Sequence, residues 1–393
     1  MEKNNREIKY LCLKSINAPY QEEMEQAILD VIDSGWYLQG LKVKNFEKHY
    51  ADYIGTKHCI ACGNGLDALK LILQGEIVLG RLNKGDEVIV PANTYIATIL
   101  AITSVGLTPI LVEPDIETLQ LNANLIEERL SEKTKAIMTV HLYGKCSITE
   151  KMLRICETHN LLLFEDNAQA HGCTCKIESA RLPRKKINKH TGSIGNAGAH
   201  SFYPGKNLGA MGDAGAVTTN DDELAEVIRA LGNYGSAKKY IFEYTGRNSR
   251  MDEIQAAVLD VKLKYIDQIN KIRKAHAILL RSCLNRGIVE KCIPRKLFDS
   301  GLENYVVHIF PFLTEEREKL QRFLNEHGVQ TMIHYPIPPH QQKCYSEWSS
   351  LSLPITEKIH REELSLPCNE AMSQEEIQYV SKLINQFYNE RTL

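Results

Sequence analysis

The sequence predicts an α/β protein in which a mostly parallel sheet flanked by helices is followed by a smaller C-terminal α+β domain. Three observations carry that expectation. Between about residues 58 and 220, short apolar runs alternate with helical patterns. After Asn248 the alternation gives way to a long helical stretch. At 393 residues the chain exceeds what one ordinary compact core organises, so two domains are expected, 1–250 and 251–393.

Taken in order, HCIACG at 58–63 reads as a strand running into a Gly-rich turn. DEVIVPA then TYIATILAITSV, TPILVEP then LIEERLSE, and KAIMTVHLYG then ITEKMLRICETHN each pair a strand with a helix. LLLFEDNAQA, AHSFYPGK and AGAVTTN continue the strands, and glycines at 205, 209, 212 and 215 between the last two demand tight loop. Sites in such sheets lie at the carboxyl ends of the strands. RMDEIQAAVLDVKLKYIDQINKIRKAHAILLRSCL reads as one long connecting helix, with Ile254, Ala257, Val258, Val261, Leu263 and Ile266 near helical spacing. YVVHIFPFL, a helix through EEREKLQRFLNEHG, QTMIHY and a closing helix through SQEEIQYVSKLINQFY then build the smaller domain. The basic segment KIESARLPRKKINKHTGSIG reads as a solvated surface insertion.

Composition narrows the class of function. Lys and Arg number 47 against 49 Asp and Glu, so no global basic field exists to recruit nucleic acid or an anionic membrane. No run approaches the roughly 20 apolar residues of a membrane span, and the N-terminus has no apolar signal core, so a cytoplasmic location is expected. Eleven scattered cysteines fit free thiols in a reducing compartment. Cys59 and Cys62 have a C-x-x-C spacing without the second ligand pair of a zinc ribbon, so they read as buried thiols and no metal site is expected.

Three segments carry candidate chemistry. In GNGLDALKL the amides of Gly65, Leu66 and Asp67 open a helix and suit a phosphate; an ordinary strand-to-helix turn is the alternative. In LLLFEDNAQAHG, Asp166 follows a continuous apolar strand, where a carboxylate needs a partner or caps a helix, and Gln169 lies three residues on. In SFYPGKNLGAMGDAGAV, Ser201 offers a hydroxyl and Lys206 an amine in a loop hemmed by glycines. Lys206 is either a solvated lysine or an amine placed for Schiff-base chemistry.

With PANTYIAT, GRNSRMDEIQAA, SGWYLQG, FEKHYADYIGTKHC and IHYPIPPH, these segments make the chain resemble the DegT/DnrJ/EryC1/StrS family of nucleotide-sugar aminotransferases, which have the aspartate aminotransferase fold (pyridoxal-phosphate fold type I). The resemblance implies pyridoxal phosphate as cofactor, held by Lys206 as a Schiff base. It places Asp166 at the pyridine nitrogen and Gln169 at the ring's 3-hydroxyl. It also stacks Tyr95 on the ring. Ser201 with the Leu66 and Asp67 amides would hold the phosphate, and Asn248 would reach in from a neighbouring subunit, which makes the expected state a homodimer. Most members have Thr where this chain has Leu66, so the backbone must suffice there.

Within the family the chain is similar to enzymes that aminate C3 of dTDP-3-keto-6-deoxyhexoses with L-glutamate, for bacterial surface polysaccharides or secondary metabolites. Tyr203, His334 and Tyr335 would then contact the sugar nucleotide, with Lys239 of the other subunit as a point charge. The alternatives are amination of C4 of a 4-keto sugar and a non-catalytic sugar-nucleotide-binding regulator. A sugar dehydratase of this fold carries His at the position of Lys206, which speaks against it.

Overall fold

The computed structural model describes residues 7–178, 186–238 and 240–390. Its centre is a seven-stranded sheet of β1 (His58–Cys62), β2 (Glu87–Pro91), β3 (Thr108–Val112), β4 (Thr134–Val140), β5 (Leu162–Asp166), β8 (Ala197–Ser201) and β9 (Gly215–Thr219). The order is β1-β9-β8-β5-β4-β2-β3, and β9 runs against the other six. Between β5 and β8 the chain forms a separate antiparallel hairpin, β6 (Thr174–Glu178) with β7 (Lys186–His190). The basic insertion of the sequence falls on this hairpin, and its central residues 179–185 lie outside the described residues.

Alternation along the strands sends side chains to opposite faces. Val88, Val90, Ala136, Met138 and Phe164 pack under the helices Gly65–Val78, Ile96–Ser104 and Asp222–Gly232. Ile89, Ile137 and Leu163 point the other way, toward the helix Glu150–Thr158. Near β1 and β9 that second face is closed by Leu41–Ile54 and Glu253–Leu263. Glu253 joins these two helices: its carboxylate accepts the N–H groups of Gly40, Lys42 and Val43, so a residue far off in sequence caps the start of Leu41–Ile54.

A second core surrounds β10 (Phe310–Leu313), which pairs antiparallel with β11 (Glu363–Leu366). Phe310, Phe312, Leu320, Leu364, Ile377, Ile384 and Phe387 fill it, and Ile8 joins from the N-terminus through a bridge to Val329. The last helix, Gln374–Asn389, opens on a reciprocal cap in which Ser373 and Glu376 accept each other's backbone N–H.

Three expectations are corrected. The long connecting helix is two helices, Glu253–Leu263 and Ile266–Cys283, broken at Lys264 and Tyr265. Tertiary contacts cause the break: the Tyr265 ring stacks on Tyr20 at 4.6 Å and its hydroxyl bonds to Glu23. Just before it, the buried Lys262 amine donates to Gly209 O at 2.6 Å and Asn17 Oδ1 at 3.1 Å. LIEERLSE forms only two short turns, Ala123–Leu125 and Glu127–Arg129, because it buries Ile126 and leaves its glutamates exposed. QTMIHY joins the sheet of β11 through a single bridge, Met332 to Ser365, rather than as a full strand. None of the eleven cysteines is paired, and Cys59 and Cys62 are buried thiols.

Candidate active site

Strands β5 and β8 lie side by side and parallel, with Asp166 opposite Ala199, so both carboxyl ends open at one edge of the sheet. Asp166 is 6% exposed. Its Oδ2 accepts the Thr98 hydroxyl at 2.8 Å and its Oδ1 the Ala168 N–H at 3.2 Å. Burial pushes the carboxyl above its ordinary value, while Thr98, Ala168 and the charge of Lys206 pull it back.

Lys206 follows β8 in a loop held at both ends. Its N–H donates to Tyr203 O at 2.9 Å, and Ala210 N–H returns to Phe202 O at 2.8 Å. A Cβ on Gly209 would lie 2.3 Å from Pro204 O, so this closure needs glycine. Asn207 locks the next position: its Nδ2 donates to Asn270 Oδ1 and Val306 O, and its Oδ1 meets His308 Nδ1 at 3.1 Å. Burial pushes the Lys206 amine down to about 8 against the attraction of Asp166. Three imidazoles face that amine, His171, His308 and His334. Burial, with the Lys206 charge added, lowers all three and keeps them neutral.

The turn Gly63–Asn64–Gly65 brings a helix N-terminus against the same edge. A Cβ on Gly65 would lie 2.5 Å from Ser201 Cβ, so the turn rests directly on Ser201. The Asp67 N–H is already donated to Asn64 Oδ1 at 2.9 Å, which narrows the amides open to an anion to Gly65 and Leu66. The Leu66 side chain packs on the core beneath. The Asp67 carboxylate instead meets Arg247 at 3.5 Å.

Gln169 is committed on both sides: its Oε1 accepts Tyr143 N–H at 2.6 Å and its Nε2 donates to the Tyr335 hydroxyl at 3.0 Å. Tyr335 lies 4.8 Å from the Tyr95 ring, centroid to centroid, and Tyr95 is 51% exposed. Tyr143 donates to His334 O, tying the stretch that carries His334 to the sheet edge. The structure therefore brings together Asp166, Gln169, Tyr95, Tyr335, His334 and Lys206, with Ser201, Gly65 and Leu66 along the same edge. Tyr203 is exposed on the Lys206 loop. Asn248 is exposed, and its side chain has no partner among the described residues. Lys239 lies outside the described residues.

Sequence reasoning missed Thr98, Tyr143, Asn207 and His308. Thr98 had a signal, since it stands three residues after Tyr95 in PANTYIAT, one helical turn away. Chemically, the edge offers an amine that sheds its proton near neutral pH, a buried carboxylate and an anion-ready helix start.

Known proteins bear on this arrangement. The model of the DegT/DnrJ/EryC1/StrS aminotransferase family matches residues 19–385. A dTDP-3-amino-3,6-dideoxy-alpha-D-galactopyranose transaminase of Aneurinibacillus thermoaerophilus is 47% identical, covering 97% of this chain and 99% of its own. A dTDP-3-amino-3,4,6-trideoxy-alpha-D-glucose transaminase of Streptomyces venezuelae is 41% identical over 92% of this chain and 90% of its own. The X-ray structure of S. venezuelae DesV with a ketimine intermediate superposes with a TM-score of 0.86 at 37% identity, covering 97% of this chain and 98% of that one.

Proposed function

The chain belongs to the DegT/DnrJ/EryC1/StrS aminotransferase family, and from that premise we propose that it moves an amino group from L-glutamate to C3 of a dTDP-linked 3-keto-6-deoxyhexose, with pyridoxal phosphate as cofactor. The product is a dTDP-3-amino-3,6-dideoxyhexose. Full-length similarity to a transaminase of that product class carries the substrate. The juxtaposition of Lys206 and Asp166 at adjacent strand ends carries the chemistry.

The residues fit the cofactor. Gly65 leaves a cradle beside Ser201 that a Cβ would fill, and the Gly65 and Leu66 amides with the Ser201 hydroxyl suit its phosphate. Asp166 suits a protonated pyridine nitrogen, because its neighbours are hydroxyl, amide and amine groups that favour its charged form. Tyr95 offers a ring face, Gln169 a remaining amide hydrogen for the 3-hydroxyl, and Lys206 the amine that holds the aldehyde carbon. When bound, pyridoxal phosphate supplies the electron sink that lets the α-C–H bond of an amino acid ionise.

The chain's own groups do the rest. Lys206 Nζ would take the α-proton of glutamate and deliver it to the cofactor side within the first half of the cycle, and would carry a proton the opposite way, to the sugar carbon, in the second. Its lowered affinity for protons suits both directions. Asp166 would present its negative charge to the ring nitrogen. Tyr203, His334 and Tyr335 line the approach for the sugar, and Asn248 of the partner subunit completes the site in a homodimer.

The deciding experiment supplies purified protein, pyridoxal phosphate and glutamate with dTDP-4-keto-6-deoxyglucose, with and without a 3,4-ketoisomerase. A 3-amino product, identified by mass spectrometry and NMR, is expected only with the isomerase. Turnover without it would point to C4 and overturn the C3 assignment; sugar binding without turnover in either arm would leave a regulator.

A further inference from the structure

Behind His334 runs a hydrogen-bond chain that the proposed reaction leaves unused. The stretch carrying His334 is bridged to β11, with Met332 N–H donating to Ser365 O at 3.2 Å and Ser365 N–H to Met332 O at 2.7 Å. That bridge sets the Ser365 hydroxyl 2.8 Å from His334 Nδ1. The same hydroxyl is bonded to Glu363 Oε1, and Glu363 Oε2 accepts the His334 backbone N–H at 2.7 Å. Glu363 and Ser365 are fully buried. His334 itself is partly exposed, and its Nε2 has no hydrogen bond among the described residues.

A serine hydroxyl has one proton to give; with the neutral Tyr10 hydroxyl, its further hydrogen-bond partner, donating into it, this chain has two orderings. With Glu363 ionised, Ser365 donates to the carboxylate, Nδ1–H of His334 donates to Ser365, and Nε2 keeps a lone pair. With Glu363 protonated, its O–H donates to Ser365, Ser365 donates to Nδ1, and the remaining ring proton sits on Nε2. Passing from the second ordering to the first loses one proton overall: Nε2 yields it to solvent while the other two shift one place along the chain.

We propose that Glu363 and Ser365 are positioning residues that set the tautomer of His334, and so decide whether Nε2 accepts a hydrogen bond from the sugar or donates one to it. The identity of the group that Nε2 meets rests on the sugar-aminotransferase reading; the coupling itself does not.

The surroundings allow this choice near neutral pH. Burial pushes the Glu363 carboxyl up to about 8, against the hydrogen bonds it accepts and the attraction of Arg317. Burial raises Tyr10, Tyr143, Tyr305 and Tyr335, the other ionisable groups around it, so they stay neutral. Arg273 faces the Tyr10 side and opposes the rise of that hydroxyl. Burial, helped by Lys206, pushes His334 down to about 4, so the imidazole changes tautomer without gaining charge.

The test uses holoenzyme labelled with 15N-histidine, the His334 signal being identified by its loss in His334→Gln. The ring nitrogen shifts report the tautomer. In the unsubstituted protein the signal is expected to cross from Nε2–H to Nδ1–H as pH rises through about 8. Glu363→Gln should hold Nε2–H throughout, because its carboxamide oxygen accepts the His334 N–H and its NH2 turns to Ser365. A crossing caused by any other titrating group, by contrast, would persist in that variant. Ser365→Ala should abolish the crossing, and Ser365→Thr restore it. Assayed above about pH 8, where the unsubstituted protein holds Nδ1–H, Glu363→Gln should change kcat/KM for the keto sugar by about fivefold, the scale of one hydrogen bond, and leave the glutamate half-reaction unaltered. A tautomer that ignores pH, or ignores both disruptive substitutions, overturns the coupling. A tautomer that responds in a protein that aminates no sugar upholds the coupling and removes the aminotransferase reading instead.

Discussion

Thr98 gives Asp166 a hydroxyl donor from 68 residues away in sequence. Thr98→Val keeps the shape and removes that donor, leaving a buried carboxylate with one hydrogen bond fewer. Cofactor retention should weaken by about 1.5–3 kcal/mol, read from pyridoxal phosphate released on dialysis, with the far-UV spectrum unchanged. At this scale, legibility followed chemistry. Asp166 and Lys206 were candidates on local pattern, a carboxylate after an apolar strand and a lysine among glycines, but a helix cap and a solvated side chain stayed open until the family resemblance assigned their roles. Thr98, Tyr143 and the Glu363–Ser365 pair are ordinary residues in ordinary segments. Their importance comes from what the fold sets beside them, which no local pattern encodes.

Among elements, strands were the most legible. The seven runs read between about residues 58 and 220 all occur in the central sheet, because continuous apolar runs bounded by turn residues leave little choice. Helix limits were less so. The apolar periodicity runs through Lys264 and Tyr265 unbroken, and the break there is imposed by Tyr20 and Glu23, which arrive from the N-terminal segment. The last helix shows the opposite case, since SQEE spells its cap locally. Ser373→Ala should lower stability by about 1 kcal/mol, seen as a lower urea midpoint at an unchanged m-value.

For the whole molecule, the proposed homodimer has a direct test. Trp36, Tyr37, Tyr234, Ile241 and Phe242 are exposed, an amount of apolar surface that a partner subunit would cover. If Asn248 of the partner subunit completes each site, Lys206→Ala and Asn248→Ala proteins should each be impaired alone. Unfolded together and refolded as mixed dimers, they should regain activity, because one site of each mixed dimer then has both residues intact. Recovery that fails in verified mixed dimers would place Asn248 in its own chain's site. The sheet makes a demand of its own on this assembly. Glu165 and Asp166 are neighbours with opposite fates: Glu165 turns to the far face, bound by His141 and by the N–H groups of Gly192, Ile194 and Gly195. Since successive side chains alternate between faces, deleting one residue from β5 would exchange the two carboxylates. The longer one would enter the edge that carries Lys206, and three loop amides would be stranded behind it. A reading frame of hydrogen bonds, as strict as that of codons, therefore runs through this strand, and length changes there should be far less tolerated than substitutions.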